Sequence, residues 1–331
     1  MKSIRLHAVG DLQLHDEPIP VAGEGEQLIL IKAVGVCGSD LHWFTEGSIG
    51  DARLERPLIL GHEFSGVTET GQRVAIDPAI PCEQCEWCQQ GHPNLCANLK
   101  FAGHGTQDGA LREFIAWPRK CLYPLPDLIT DADGAMLEPL GIAIHSVDLG
   151  NVRAGTSVGV FGCGPIGLLI IQVAKVSGAA NIIATDKLPH RLEAAKRFGA
   201  SETFLVEDKS GLEKMQAVLH KHGVEVAFEA AGKQDAVDDA FDAVLPGGKV
   251  ILAGIPDDDR TSFSASTARR KGLTIKLVRR MKHTYPRAIE LVSKGLVDVH
   301  SLVTHCFPLD RAAEAFQVAA RREGLKVVIE I

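Results

Sequence analysis

The sequence predicts an α/β protein: a β-rich unit carrying Cys and His in its loops, and a doubly wound domain on a six-stranded parallel sheet. Three observations lead there. From about His145 onward, short apolar runs alternate with helix-like segments, the rhythm of strands that all point the same way. A glycine triplet, Gly162-x-Gly164-x-x-Gly167, separates one such run from a helix. Up to about Ile142, by contrast, β-like runs are divided by Gly, Pro and Asp.

The elements follow in order. Gln27–Val34, Arg73–Ile76 and Leu111–Ala116 are the strands expected of the first unit, which reads as all-β or α+β. In the second, Val158–Phe161 is short and apolar, and the Gly-rich turn opens a helix over Ile166–Ser177 that Gly178 stops. Asn181–Thr185 is the next strand and Arg191–Phe198 the next helix, closed by Gly199. Thr203–Val206 follows, and Ser210-x-x-Glu213 offers a capping box to a helix ending at Gly223. Val224–Glu229, Lys249–Ala253 and Leu273–Val278 complete six strands. The tail adds a helix-like Ala288–Ser293, then β-like Leu302–Val303 and Leu325–Ile331.

At 331 residues the chain has room for two domains, each with its own core. A net charge of −7 gives no broad basic surface for nucleic acid or an anionic membrane. The start, MKSIRLHAVGDLQL, has neither the apolar core nor the cleavage pattern of a signal peptide. With eight cysteines and no export signal, a reducing, cytoplasmic compartment is expected, with thiols free for metal. Ala154–Ala174 carries no charge, but Gly159, Gly162, Gly164, Pro165 and Gly167 interrupt it, so a strand, turn and helix fit better than a membrane span.

Cys82, Cys85, Cys88 and Cys96 read C-x-x-C-x-x-C-x₇-C. Cysteines so spaced can turn their sulfurs toward one point, and four thiolates at about 2.3 Å suit Zn²⁺ in a closed, structural site. Disulfides are the alternative, disfavoured by the strain of pairing such near neighbours. A closed zinc performs no chemistry, so the reaction has to lie elsewhere.

The glycine triplet is weak by itself and gains weight from its context. It follows an apolar strand, opens a helix at Pro165 and Ile166, and precedes an acidic strand end, Asp186, by about 20 residues, as a dinucleotide fingerprint requires. The helix N-terminus would face the pyrophosphate. Asp186 would accept from the adenine-ribose hydroxyls and repel a 2′-phosphate, favouring NAD over NADP. Lys187 and Arg191 are nearby cations that weaken this preference slightly.

Three further fragments are candidates for a second, open metal site: Cys37 in GVCGSDLH, His62–Glu63 in LGHEFSG, and Glu138 in MLEPLG. Each is expected at a strand end or in a Gly-flanked loop. Separation in sequence gives no geometry, and a lone Cys or His is ordinarily a packing residue. Together they would supply the three protein ligands of a catalytic zinc.

VGVCGSDLH, LGHE, the four-Cys lobe, LEPL and FGCGPIG occur in the order seen in zinc-dependent medium-chain alcohol dehydrogenases, and the chain most resembles their sorbitol (polyol, L-iditol) branch. The resemblance covers essentially the whole length. It implies a discontinuous GroES-like catalytic domain at 1–144 and 279–331, with a structural zinc lobe at about 78–100, around a Rossmann NAD-binding domain at 145–278. It implies Cys37 and His62 as ligands of a catalytic zinc, with Glu63 and Glu138 as acidic partners. One of these ligates directly, and the other holds the water beside the metal or takes its place. Asp40 would orient the His62 imidazole.

The implied reaction oxidises a secondary alcohol, a polyol rather than a simple alcohol, to a ketone, with zinc as Lewis acid and NAD as hydride acceptor. Ser39 and His42 resemble the family's hydroxyl-to-imidazole proton relay, and Trp43, Phe101, His104 and Arg280 match substrate-lining positions, with Arg279 the alternative to Arg280. Trp43 and His104 stand where sorbitol dehydrogenases are expected to carry Tyr and Thr. After GHEFSGV a hairpin is shortened by about ten residues at Thr68–Gly71, a change that loop entropy tolerates. The family implies a homotetramer, or else a dimer. Threonine 3-dehydrogenase, butanediol and glucose dehydrogenases share most of these motifs. A zinc deaminase built on His15, Glu17, Cys82 and Cys85, and a zinc-stabilised NAD sensor, are remote alternatives.

Overall fold

The computed structural model describes residues 1–207, 213–218 and 223–331. The chain divides into two compact units. The first comprises Met1–Glu138, Tyr285–Gly295 and Val299–Ile331, and the second Pro139–Thr284 with Leu296–Asp298. The capping box at Ser210 lies outside the described residues.

In the first unit a seven-stranded sheet runs in the order Leu122–Pro124, Arg73–Ile76, Glu63–Thr68, Glu26–Gly35, Lys326–Glu330 and Val303–Pro308, while Phe114–Pro118 also pairs with Glu26–Gly35. The tail therefore returns to the first unit's central strand, with Val328 opposite Gly35 and Ile329 opposite Val34. Ile29, Ile31, Val34, Phe64, Ile115 and Trp117 fill the core between strands and loops. The Trp117 indole N–H reaches the carbonyl of Asp77 at 2.9 Å, so its polar edge is satisfied where its ring is buried.

The second unit holds the parallel sheet, ordered Glu202–Leu205, Asn181–Asp186, Ser157–Phe161, Val224–Glu229, Val244–Leu252 and Thr274–Leu277. The chain winds outward from the Ser157–Phe161 strand in both directions, so a strand-order switch lies beside it, where such sheets bind ligands. Phe161, Ile183, Ala227, Phe241 and Val250 form part of the core beneath the helices.

Several expected boundaries move. The Leu111–Ala116 strand becomes Phe114–Pro118, because Leu111 is occupied by separate backbone bonds to Leu60 and Ile4. Leu302 closes a 3₁₀ turn, His300–Leu302, and extended backbone begins only at Val303. Glu138 stands in the first turn of a helix, Leu137–Gly150, and not at a strand end or in a loop. The shortened hairpin after Thr68 closes tightly, with Thr68 N–H donating to Gln72 O at 2.9 Å and Gly71 at φ 81°. Among the described residues, no helix is long and apolar enough to cross a membrane.

Candidate active site

The strand Glu26–Gly35 delivers Cys37 to the start of a helix, Gly38–Glu46, whose first turn carries Ser39 and Asp40 and whose second turn carries His42. The neighbouring strand begins at Glu63, directly after His62. Because Glu63 pairs with Gly35 across the ladder, the two sequence fragments meet. Ligand atoms of Cys37, His62 and Glu63 lie within 4.8 Å of one another. A thiolate, an imidazole and a carboxylate at that separation fit a zinc with a fourth position open.

Asp40 is 1 % exposed and ties this corner together. Its carboxylate accepts from the backbone N–H of Cys37 at 3.0 Å and of Gly61 at 3.3 Å, and faces His62 Nδ1 at 3.3 Å. That leaves Nε2 of His62 for a metal, the orientation such an outer partner enforces. Burial pushes Asp40 upward, but the facing His62 and the two N–H donors outweigh it and hold the carboxyl below its ordinary range. His62 is lowered by burial yet raised more by Asp40 and Cys37, ending well above the usual imidazole value.

Glu138 is buried and falls outside that 4.8 Å group among the described residues. Desolvation pushes its pKa up to about 8, with His62 and Lys326 opposing and Glu63 reinforcing the shift. Ser39 Oγ lies 3.3 Å from His62 Nε2, beside the metal set. His42 Nδ1 lies 3.1 Å from Glu46 Oε1, four residues further along the same helix.

Trp43 and His104 meet edge to face at 5.7 Å, and Phe101 packs on the His62 ring at 5.2 Å. Phe101 therefore stands at the metal corner, whereas Trp43, 2 % exposed, is packed into the hydrophobic core of the first unit. Arg280 belongs to the second unit, at φ 53°.

A residue that the sequence reading passed over completes the corner. Lys326, 3 % exposed, pairs through Nζ with Glu63 Oε2. In the tail strand KVVIE it is a single cation in an apolar run, which the sequence alone does not distinguish from a solvated edge.

The four cysteines of the lobe converge as well, their sulfurs within 4.8 Å of one another, and all are free thiols. Cys85 caps the short helix Glu86–Gln89, and the Cys82 N–H donates to Cys96 Sγ at 3.3 Å. The backbone N–H groups of Gln84 and Cys85 bring the Cys82 thiol down to about 6, whereas burial and the adjoining Cys85 sulfur push Cys88 up to about 12. Sulfurs this close do not all ionise without a cation among them, so the donor set fits zinc. His15, required by a deaminase, instead stacks on His7 at 5.0 Å and is no member of this group.

In the second unit, Gly164 caps the helix Pro165–Val176 with Pro165 at its first position, leaving the N–H groups of Ile166 and Gly167 outward. Gly162 sits at φ 103°, and a Cβ on Gly167 would lie 1.9 Å from the Gly162 carbonyl oxygen, so both positions demand glycine. Asp186 accepts from Cys163 N–H at 2.7 Å and Leu188 N–H at 2.8 Å, which fixes the carboxylate at the strand end with lone pairs to spare. The nearest heavy atom to a Cβ built on Gly164 is Arg191 Nη1, at 3.8 Å, placing a cation beside the turn. Lys187 is engaged by Asp235.

Comparison with known proteins agrees with this geometry. Residues 23–127 match the alcohol dehydrogenase GroES-like domain and residues 165–294 the zinc-binding dehydrogenase domain. The chain is 33 % identical to the sorbitol dehydrogenase of Bacillus subtilis (strain 168) over 99 % of its own length and 97 % of that protein, and 37 % identical to that of Bos taurus over 99 % and 95 %. A crystal structure described as a short chain alcohol dehydrogenase from Escherichia coli CFT073 with NADH superposes with a TM-score of 0.92 at 29 % identity, covering 100 % of this chain and 99 % of that one. A putative zinc-binding dehydrogenase from Sinorhizobium meliloti 1021 bound to NADP gives 0.90 at 29 %, with the same coverage. The chain is a member of the zinc-binding alcohol dehydrogenase family, with a GroES-like domain joined to a Rossmann domain.

Proposed function

We propose that this dehydrogenase oxidises a secondary alcohol of a polyol, of the sorbitol, L-iditol or xylitol type, to a ketose, with NAD as acceptor. The observation that carries the reading is the donor set at the metal corner: Cys37 and His62 joined by the carboxylate of Glu63, with a second buried carboxyl at Glu138. Carboxylates there suit a substrate rich in hydroxyls, in keeping with the relatives named sorbitol dehydrogenase. Metal chemistry is assigned to the first unit and nucleotide binding to the second.

When bound, zinc supplies a Lewis acid that lowers the pKa of the substrate hydroxyl, and NAD supplies the hydride acceptor. Cys37, His62 and Glu63 hold the metal, and Asp40 keeps the His62 ring turned to it. Glu138 hydrogen-bonds the water or hydroxyl that enters. Ser39 Oγ takes the proton, which passes through a bridging hydroxyl or water to His42 and out past Glu46. Phe101, beside His62, and His104 offer the wall for the carbon chain. The turn at Gly162–Gly167 and the helix start after it bind the pyrophosphate, Arg191 adds positive charge, and Asp186 binds the ribose of NAD. The enzyme is read as a cytoplasmic homo-oligomer, a tetramer before a dimer.

The test is NADH production from a panel of sorbitol, L-iditol, xylitol, threonine, butanediol and glucose. Polyols should lead in kcat/KM. Preference for threonine, butanediol or glucose would refute the polyol assignment, and equal use of NADP would refute the role of Asp186.

A further inference from the structure

Lys326 and Glu63 form an ion pair in a place where water hardly reaches either partner. Leaving one charge of such a pair unmatched is strongly unfavourable, so the fold must hold both groups in place. Three strands cooperate to do so. Gly35 lies opposite Glu63 on one side and opposite Val328 on the other. A Cβ on Gly35 would stand 2.1 Å from Glu63 Oε2 and 3.1 Å from Lys326 Cε, so the absent side chain is the space in which the pair forms. The same Glu63 presents a carboxylate oxygen within 4.8 Å of the ligand atoms of Cys37 and His62. One carboxylate thus meets a fixed cation and the metal-binding set.

We propose that Lys326 is a positioning residue for the catalytic metal: its ammonium anchors the Glu63 carboxylate in the gap left by Gly35, so that Glu63 meets the metal together with Cys37 and His62. The proposal rests on the reading of those three residues as ligands. Lys326 acts through Glu63 alone. A glutamate with several free torsions gains a fixed orientation from this anchor, and partners of that kind typically govern metal affinity by 10- to 100-fold.

The experiment follows zinc transfer from the loaded protein to a chromogenic chelator. Lys326→Met should release the catalytic zinc about 10- to 100-fold faster than the wild type, with the four-cysteine zinc and NAD binding unchanged. Release at the wild-type rate or slower overturns the proposal. Cys37→Ala is the control for the underlying reading. If it too keeps that zinc, the ligand assignment falls; if it loses the zinc while Lys326→Met does not, only the role of Lys326 falls. Because Lys326→Met strands a buried carboxylate and can unfold, Glu63→Gln is compared with Glu63→Gln/Lys326→Met, where no pair remains. The two rates should agree within about twofold, since Lys326 has nothing left to position. A further loss of about tenfold in the double variant would show a route that bypasses Glu63, and would overturn the proposal.

Discussion

On the proposed reading Cys37 and His62 carry the heaviest single-residue demand, because the metal they would hold would stabilise charge on the reacting oxygen. Replacing either by Ala should lower kcat/KM by about 10³-fold or more, several kcal/mol of transition-state stabilisation, while metal analysis still finds the lobe zinc. Asp40→Asn removes the negative charge and turns one of the two carboxylate oxygens, which between them face two backbone N–H groups and the His62 ring, into an NH2 that cannot accept; it should weaken the catalytic metal by about 10- to 100-fold in a chelator titration. His42→Ala should lower kcat by about 100-fold with little change in KM, and imidazole buffer should restore part of the rate. An unchanged rate would remove His42 from the relay. At this scale the proposed ligand residues were legible from their flanking Gly, Asp and Glu, whose order matched a known family. Lys326 was not, because a single lysine in an apolar tail reads as a solvated edge until the strand Glu26–Gly35 is seen beside it.

Among elements, the strand, turn and helix of the second unit are the most demanding. Gly167→Val cannot be accommodated against the Gly162 carbonyl and should abolish NAD binding in a fluorescence titration, leaving both zincs in place. The lobe makes the opposite prediction. Cys85→Ser should lower thermal stability and disturb assembly before it slows turnover per folded subunit, because that site is closed. The parallel strands were legible because buried β-rich runs alternate with amphipathic helices, a pattern that few other folds produce. The helices Gly38–Glu46 and Leu137–Gly150 were harder, since Gly38, Pro139 and Gly141 are turn residues in most settings. In these helices Gly38 and Pro139 fall in the first turn, where Pro costs no backbone bond. Leu302 misled in another way: its apolar side chain is fully buried from a 3₁₀ turn, so burial without extension resembled a strand.

The whole molecule carries two candidate sites of different character, one in each unit. The two family domains match separate stretches of the chain, and the curated sorbitol dehydrogenases align along nearly all of it. A strong chelator should therefore act in two stages, abolishing turnover first while the far-ultraviolet spectrum persists, then removing the lobe zinc with loss of stability. The return of the tail to the first unit's sheet was inferred from resemblance alone, since nothing in the composition of Leu325–Ile331 names its partner strand. Direct hydride transfer from a secondary carbinol carbon at a zinc centre is the chemistry on which the proposed function stands or falls. Sorbitol deuterated at its secondary carbinol carbons, turned over by zinc-loaded enzyme with NAD, tests it through the mass of the reduced nicotinamide. One deuterium is expected in each NADH, with formation that stops on chelation and recovers with added zinc. NADH without deuterium, or formation indifferent to the chelator, would contradict it.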